Sequence, residues 1–313
     1  MKRAVIVGCN GQDGRLLYDF LLRRNYELMG IARTFVRGSK PGWNTPIDIS
    51  NTESIFQVMN IFKPDEIYYL AAVHRSSEDE PAENLELTRE SYEVHVLSLV
   101  NFLEAIRRFS SKTRLFYAAS SQIFGESTSE MQDESTPINP NCIYGITKAA
   151  GVFTCRFYRD RYSIFASVGI LYNHESSLRS EKFVSKKIIK GAIDLKNGKQ
   201  GKLILGDLDS EVDWGYAPDY IEAMHRLLNI QVSDDFVIAT GKRHRVFDFV
   251  KTTFEYLGLD WTKHVEEDPT IIRKRNGYRV GNPAKLMTMA GWKPTIDFKE
   301  MIRSLIEEEG GFE

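Results

Sequence analysis

Four consecutive apolar residues, Ala4–Val7, run directly into Gly8-Cys9-Asn10-Gly11-Gln12-Asp13-Gly14, and no other feature of the chain narrows its fold as much. A short run without polar alternation suits a strand buried on both faces of a parallel sheet. Three glycines in seven residues let the backbone turn sharply, and Leu16, Leu17, Phe20 and Leu21 then recur at helical spacing. The alternation continues. Further strands are predicted at Leu28–Ala32, weakly at Thr45–Ile49, at Ile67–Ala72, Leu115–Ala119 and Ile164–Leu171. Helices are predicted between them at Ser54–Phe62, closed by Pro64, and at Ser91–Phe109 and Tyr144–Arg161. Strands alternating with helices predict an α/β fold with a Rossmann-type doubly wound parallel sheet.

Beyond Leu171 the pattern loosens. Glu175–Lys182 is polar, Asn197–Gly201 is a turn cluster, Asp213–Leu228 returns to helical periodicity and Phe236–Ala239 to a strand. The 313 residues are enough for one large core plus a smaller lobe. The expected division is a sheet domain of residues 1–172 plus about 212–242, with a discontinuous C-terminal substrate lobe of about 173–211 plus 243–313.

A glycine-rich loop between a first strand and a first helix lets the backbone approach a pyrophosphate at the positive end of that helix. Glycine spacing alone is a weak signal. Its place at residue eight, after a buried strand and ahead of further strand–helix units, makes Gly8, Gly11, Gln12, Asp13 and Gly14 the predicted dinucleotide loop. The second strand ends in Gly30-Ile31-Ala32-Arg33 with no carboxylate nearby, which favours NADP over NAD, although a solvated surface arginine reads the same way. Asp48 is either an adenine partner or a cap for the helix near Ser54. Ile49 and Leu70-Ala71-Ala72 are counted with the cofactor positions.

Tyr144-Gly145-Ile146-Thr147-Lys148 puts a phenol and an ammonium four residues apart, on one face of a helix. A nearby cation, with the positive nicotinamide ring, is expected to lower the phenol pKa so that Tyr144 exchanges a proton with a substrate hydroxyl. Ser120 ends the fifth predicted strand in Ser120-Ser121-Gln122-Ile123-Phe124-Gly125, placed to hydrogen-bond the reacting oxygen; a turn-forming serine is the alternative.

In this order, the three signatures resemble the extended short-chain dehydrogenase/reductases. Gly11-Gln12-Asp13-Gly14, Lys63-Pro64-Asp65-Glu66-Ile67-Tyr68, Leu103-Glu104-Ala105-Ile106-Arg107 and Asn173-His174-Glu175-Ser176 are similar to the GDP-mannose 4,6-dehydratase family. So are Asp213-Trp214-Gly215, Asp235-Phe236-Val237-Ile238-Ala239-Thr240-Gly241 and Gly291-Trp292-Lys293-Pro294. From spacing alone His174 reads as a loop histidine. The resemblance implies instead that His174 and Arg179 help hold the cofactor, and that Lys187 and Arg273 lie near a nucleotide-sugar diphosphate. Ser121 and Asn173 are counted as substrate-binding. It also implies a homodimer or homotetramer, with the Arg33–Asn44 loop reaching a neighbour.

Three departures from the family pattern matter. The dehydratase glutamate that removes the C5 proton and helps expel the C6 hydroxyl is Gln122 here, and an amide takes up no proton near neutral pH. The arginine expected before Asp-Trp-Gly is Val212. The loop His74–Ser91 is longer than the family's and carries Glu78, Asp79, Glu80 and Glu83; it either reshapes the sugar pocket or is a surface insertion. With Ser120, Tyr144 and Lys148 intact, the expected reaction is hydride transfer at C4 of a GDP-linked, mannose-type sugar without water loss. A 4-dehydrogenase, 4-keto reductase or 4-epimerase would fit, with Gln122 hydrogen-bonding the sugar. The runner-up is a 4,6-dehydratase drawing its acid/base from elsewhere, with Glu126 the nearest carboxylate in sequence. A non-catalytic dinucleotide sensor comes third, since a sensor has no need of Tyr144, Lys148 and Ser120.

Composition narrows the rest. A net charge of −2 gives no basic field for nucleic acid or an anionic membrane. Cys9, Cys142 and Cys155 make neither a disulfide framework nor a metal pattern, and no metal is expected. The basic start at Lys2-Arg3 leads into an apolar run that stops at Gly8, and no stretch approaches the ~18 apolar residues of a membrane span. A soluble, cytoplasmic protein is expected. Leu286, Met287 and Met289 read as core, His225 and His244 as surface or capping residues, and Tyr68-Tyr69 as packing. Trp214 suits stacking on a base and a core role equally.

Overall fold

The computed structural model describes residues 1–34, 46–73, 85–268, 270–271 and 280–310. Arg273, most of the Arg33–Asn44 loop and the greater part of the His74–Ser91 loop lie outside the described residues. The elements in chain order are β1 (Arg3–Val7), α1 (Gln12–Leu22), β2 (Glu27–Ile31), α2 (Thr52–Phe62), β3 (Glu66–Tyr69), α3 (Leu85–Tyr92), a π-turn (Glu93–Leu97) and α4 (Ser98–Phe109). Then come β4 (Arg114–Ser120), α5 (Ile143–Tyr162), β5 (Ala166–Leu171), β6 (Asn173–Glu175), α6 (Val184–Lys196), β7 (Leu203–Leu205), β8 (Glu211–Val212) and β9 (Trp214–Tyr216). The chain ends with α7 (Ala217–Leu227), β10 (Asp235–Ile238), β11 (His244–Arg245), α8 (Val246–Leu257), β12 (Val265–Glu267), α9 (Ala284–Ala290) and α10 (Phe298–Glu308).

Among the described residues the main sheet has six strands in the order β10-β5-β4-β3-β1-β2, every neighbouring pair parallel. The doubly wound parallel sheet read from the sequence is therefore what the chain forms. Continuous apolar strands explain why both sheet faces carry a core. One core packs Ile55, Val58 and Phe62 of α2, Leu99, Phe102 and Ile106 of α4, and Val152 and Cys155 of α5. The other packs Leu17 and Leu21 of α1, Tyr220, Met224 and Leu227 of α7, and Leu286 and Trp292. A third cluster joins Ile188 and Ile189 of α6, Trp214 of β9, Phe249 and Phe254 of α8, and Ile302 and Ile306 of α10.

Several expectations are corrected. No strand forms at residues 46–49: Pro46 has no N–H to give a ladder, and the Asp48 carboxylate accepts from Ser50 N at 2.9 Å, folding the chain into a turn. The helix predicted over Ser91–Phe109 begins at Leu85 and is broken by the π-turn. Helical periodicity at Asp213 begins too early, because Trp214–Tyr216 pairs as a strand with Asn173–Glu175 and the helix starts at Ala217. Trp214 is core, 2% exposed against Phe249 and Phe298. Only Leu286 of the Leu286–Met289 group is buried, since the short α9 turns Met287 and Met289 to the outside, each 44% exposed. His225 and His244 pack rather than cap: the first faces the edges of Phe20 and Tyr26, and the second stacks on Phe298 at 3.8 Å.

Candidate active site

The strand order reverses at β1, which has β2 on one side and β3 on the other. The crevice beyond the carboxyl ends of β1 and β3 is where a doubly wound sheet binds its ligand. Gly8 stands there at φ +90°, and a Cβ on it would meet Ala71 N at 2.8 Å, so the loop lies directly on the Leu70–Ala72 segment. A Cβ on Gly14 would strike Gly8 O at 2.3 Å. Gly11 is different, because the nearest atom to its Cβ is Gly8 O at an ordinary 3.5 Å. Gly8 and Gly14 are thus required by the chain's own packing, whereas Gly11 leaves room for an incoming group. No side chain caps α1 at Gly11, so the N–H groups of its first turn remain for an anion. These residues fit a dinucleotide pyrophosphate.

Asp13, in that first turn, is turned toward β6. His174 Nε2 lies 3.0 Å from both Asp13 carboxylate oxygens, and His174 Nδ1 lies 2.7 Å from Tyr172 O. Both ring nitrogens face acceptors, which favours the imidazolium. Burial opposes that cation, but the Asp13 charge and hydrogen bond outweigh it and hold the His174 pKa above its ordinary value. Burial likewise tends to raise Asp13, yet His174, Gln12 and Arg179 bring its carboxyl down to about 2. Gln12 completes the lock, donating to His174 O at 3.1 Å and accepting from Ser176 Oγ at 3.0 Å. The ring of His174 stacks on Tyr220 at 4.6 Å. Arg179 lies 3.4 Å from Glu175 and over the Phe183 ring, close enough for its charge to act on both Asp13 and Tyr144.

Ser120 ends β4, and Tyr144 and Lys148 share the facing side of α5. Ser120 Oγ accepts from Gln122 N at 3.2 Å, and its hydroxyl lies near enough to the Tyr144 phenol to bear on its pKa. Lys148 is 1% exposed and donates to Ala118 O at 2.7 Å, with Nζ 5.7 Å from the Tyr144 ring centre. Burial draws the Lys148 pKa down to about 7, against the pull of Asp13. Among the chain's own groups, desolvation holds Tyr144 above the ordinary phenol range, and Arg179 and Ser120 are what oppose it. Lys148 uses one of its three ammonium hydrogens on the β4 backbone.

Position 122 carries a further surprise. The Cys142 thiol donates to Gln122 Oε1 at 3.2 Å, and the same sulfur accepts from Gly145 N at 3.4 Å as the N-cap of α5. The amide carbonyl is therefore engaged by the helix that carries Tyr144. Ser121 is buried at 6% exposure. Glu126 is exposed and accepts from Asn141 Nδ2 at 3.2 Å.

The remaining positions are more dispersed. Arg33 is 84% exposed along its side chain and paired with Glu90 at 2.9 Å. Asp48 is exposed and bonded to Ser50, which holds its carboxyl below the usual range; Asn51, not Asp48, caps α2. Ile49 packs on the sheet core, and its carbonyl accepts from Asn101 at 3.0 Å. Leu70 and Ala71 are half-buried, Ala72 and Asn173 exposed, and Lys187 is half-buried in the first turn of α6. Sequence reading missed His95. Its ring meets Tyr144 edge-to-face at 5.4 Å, and its signal was a histidine within an apolar-periodic helix. Among the described residues, no group of three or more His, Cys, Asp or Glu is placed to hold a metal, and no helix is long and apolar enough to cross a membrane.

The chain is 33% identical to GDP-mannose 4,6 dehydratase 1 of Arabidopsis thaliana, covering 98% of this chain and 90% of that one. It is 29% identical to the human GDP-mannose 4,6 dehydratase, over 98% and 91%. Its fold superposes on dTDP-glucose 4,6-dehydratase from Bacillus anthracis in complex with NAD, at TM-score 0.84, 18% identity and 100% and 98% coverage. It also superposes on RMD from Pseudomonas aeruginosa complexed with NADPH, at TM-score 0.83, 19% identity and 98% coverage of both. The family model described as GDP-mannose 4,6 dehydratase matches residues 5–305. The chain therefore belongs to the GDP-mannose 4,6-dehydratase family and is an NAD(P)-dependent, nucleotide-sugar-modifying enzyme of the short-chain dehydrogenase/reductase type.

Proposed function

We propose that this enzyme moves hydrogen at C4 of a GDP-linked, mannose-type sugar without expelling water, as a 4-dehydrogenase, 4-keto reductase or 4-epimerase. The observation that carries the reading is a complete Ser120–Tyr144–Lys148 set beside an amide, Gln122, whose carbonyl is held by Cys142. The Tyr144 phenol exchanges a proton with the C4 hydroxyl, and the Ser120 hydroxyl hydrogen-bonds the same oxygen. Lys148 supplies a buried cation close to the phenol, with Arg179 adding its charge. A nicotinamide dinucleotide held by the Gly8–Gly14 loop would supply the hydride chemistry at C4. Gln122 offers no base to the C5 proton and no acid to the C6 hydroxyl, so the chemistry stops at C4.

NADP is favoured over NAD. Arg33 forms an exposed ion pair with Glu90, a contact of small net value that a ribose phosphate can replace. The sugar nucleotide side is the lobe of about 173–211 plus 243–313, less the Leu286–Trp292 stretch that packs on the sheet, with Ser121, Asn173, Lys187 and Arg273 as contacts. A homodimer is proposed through α5, whose Ile146, Phe153 and Phe157 are 36%, 52% and 54% exposed at helical spacing.

A second reading has its own support. Relatives at 29–35% identity are named as GDP-mannose 4,6-dehydratases. Supplying GDP-mannose deuterated at C4, or the matching 4-keto sugar with reduced cofactor deuterated at the nicotinamide C4, tests the proposed step. Deuterium passing between sugar C4 and the nicotinamide is expected, together with retention of the C5 hydrogen in heavy water. Exchange of the C5 hydrogen with solvent would instead favour elimination.

A further inference from the structure

We infer that His95 is a positioning residue for Tyr144, clamping the segment after β3 to the catalytic helix. The inference rests on the reading of Tyr144 as the acid/base. The ring is 0% exposed and used on both nitrogens: Val73 N lies 2.9 Å from Nε2, and Thr147 Oγ1 lies 2.7 Å from Nδ1. A backbone N–H only donates, so Nε2 is the bare acceptor and Nδ1 carries the proton. Thr147 Oγ1 accepts that proton and donates onward to Ile143 O at 2.9 Å or Tyr144 O at 3.1 Å. One imidazole thus ties Val73, next to the Leu70–Ala72 stretch lining the crevice, to the first turn of α5, while its edge meets the Tyr144 ring at 90°.

The backbone around His95 is built for this task. It lies in the π-turn, whose wider winding frees carbonyls from their usual partners, and such turns concentrate at functional sites. Val94 O accepts from Tyr69 OH and His95 O from Tyr117 OH, so two sheet tyrosines satisfy the carbonyls. Tyr117 in turn fits only because residue 151 is glycine; a Cβ there would stand 2.1 Å from its hydroxyl. His95 therefore fixes how far the phenol stands from the crevice that holds the nicotinamide, and touches no reacting atom itself.

His95→Leu and His95→Gln separate this role from mere packing. Glutamine can accept from Val73 through its amide oxygen and donate to Thr147 through its nitrogen; leucine can do neither. The leucine variant is expected to lose ~10²-fold in kcat at near-unchanged KM, because a misplacement of about 1 Å costs that much, and the glutamine variant to regain most of it. Equal losses in both, or losses confined to KM, would overturn the inference. In protein labelled with 15N-histidine, the His95 signals should show a protonated Nδ1 and a bare Nε2. The opposite tautomer or the doubly protonated ring would overturn the clamp whatever the turnover. Wild-type protein inert toward the sugar would defeat the functional reading alone, leaving the clamp to be decided by that spectrum.

Discussion

Single side chains carry the chemistry, and each has its own measurable consequence. Tyr144→Phe should lower kcat by ~10²–10⁴-fold in a nicotinamide absorbance assay, the range lost with a general acid or base. Lys148→Met should abolish hydride transfer yet raise the melting temperature. The folded pKa of Lys148 is about 7 against an ordinary 10.5, so burial of this cation costs stability in full below pH 7, and the cost fades as pH rises toward 10.5. The gain seen by calorimetry should therefore be largest on the acid side. Asp13 and His174 work in the opposite sense. The depressed Asp13 contributes stability above pH 3.8 that is lost as pH falls toward about 2. The raised His174 contributes below 6.5 and loses it as pH climbs through its folded value. Asp13→Asn should thus destabilise most between about pH 4 and 6.5, by ~3–5 kcal/mol for a broken buried pair, measured by urea unfolding across pH. The glycine loop and the Tyr-Lys pair were legible because their spacing is local. The Asp13–His174 pair spans 161 residues and the Cys142–Gln122 contact 20, so spacing gave no access to either.

Elements were legible where one physical signal dominated. Continuous apolar runs identified five strands of the sheet, and the sixth, β10, was read from Phe236–Ala239 against an observed Asp235–Ile238. Competing signals account for the misses. Pro46 and the Asp48 turn overrode a weak strand pattern, and Trp214–Tyr216 took a ladder with β6 although its apolar spacing read as helix. The π-turn was not read from the apolar spacing, and the hydroxyls that satisfy its carbonyls, those of Tyr69 and Tyr117, lie on other elements. Its dependence on close packing can be measured. Gly151→Ala should cost ~1–3 kcal/mol in denaturant unfolding, because the added methyl meets the Tyr117 ring at 2.1–2.8 Å. An alanine tolerated without loss would mean that Tyr117 moves freely and that the π-turn is not pinned from below.

For the whole molecule, the sequence conveyed the doubly wound plan and the family, while the internal arrangement of three cores depended on contacts no periodicity encodes, as with Leu286 and Trp292 returning to the sheet. The exposed apolar face of α5 makes a prediction at this scale: Phe157→Glu should yield monomers by sedimentation, with wild type sedimenting as a dimer or larger. The proposed reaction is also a property of the assembled site, since on that reading proton transfer, hydride transfer and the missing carboxylate meet at one sugar ring. The decisive measurement is the product mass after incubating the enzyme and NADP with GDP-mannose, run beside Gln122→Glu. The account predicts a wild-type product that keeps its full complement of water, unchanged in mass or lighter by two hydrogens, and water loss appearing in the variant. A wild-type product lighter by one water would contradict it.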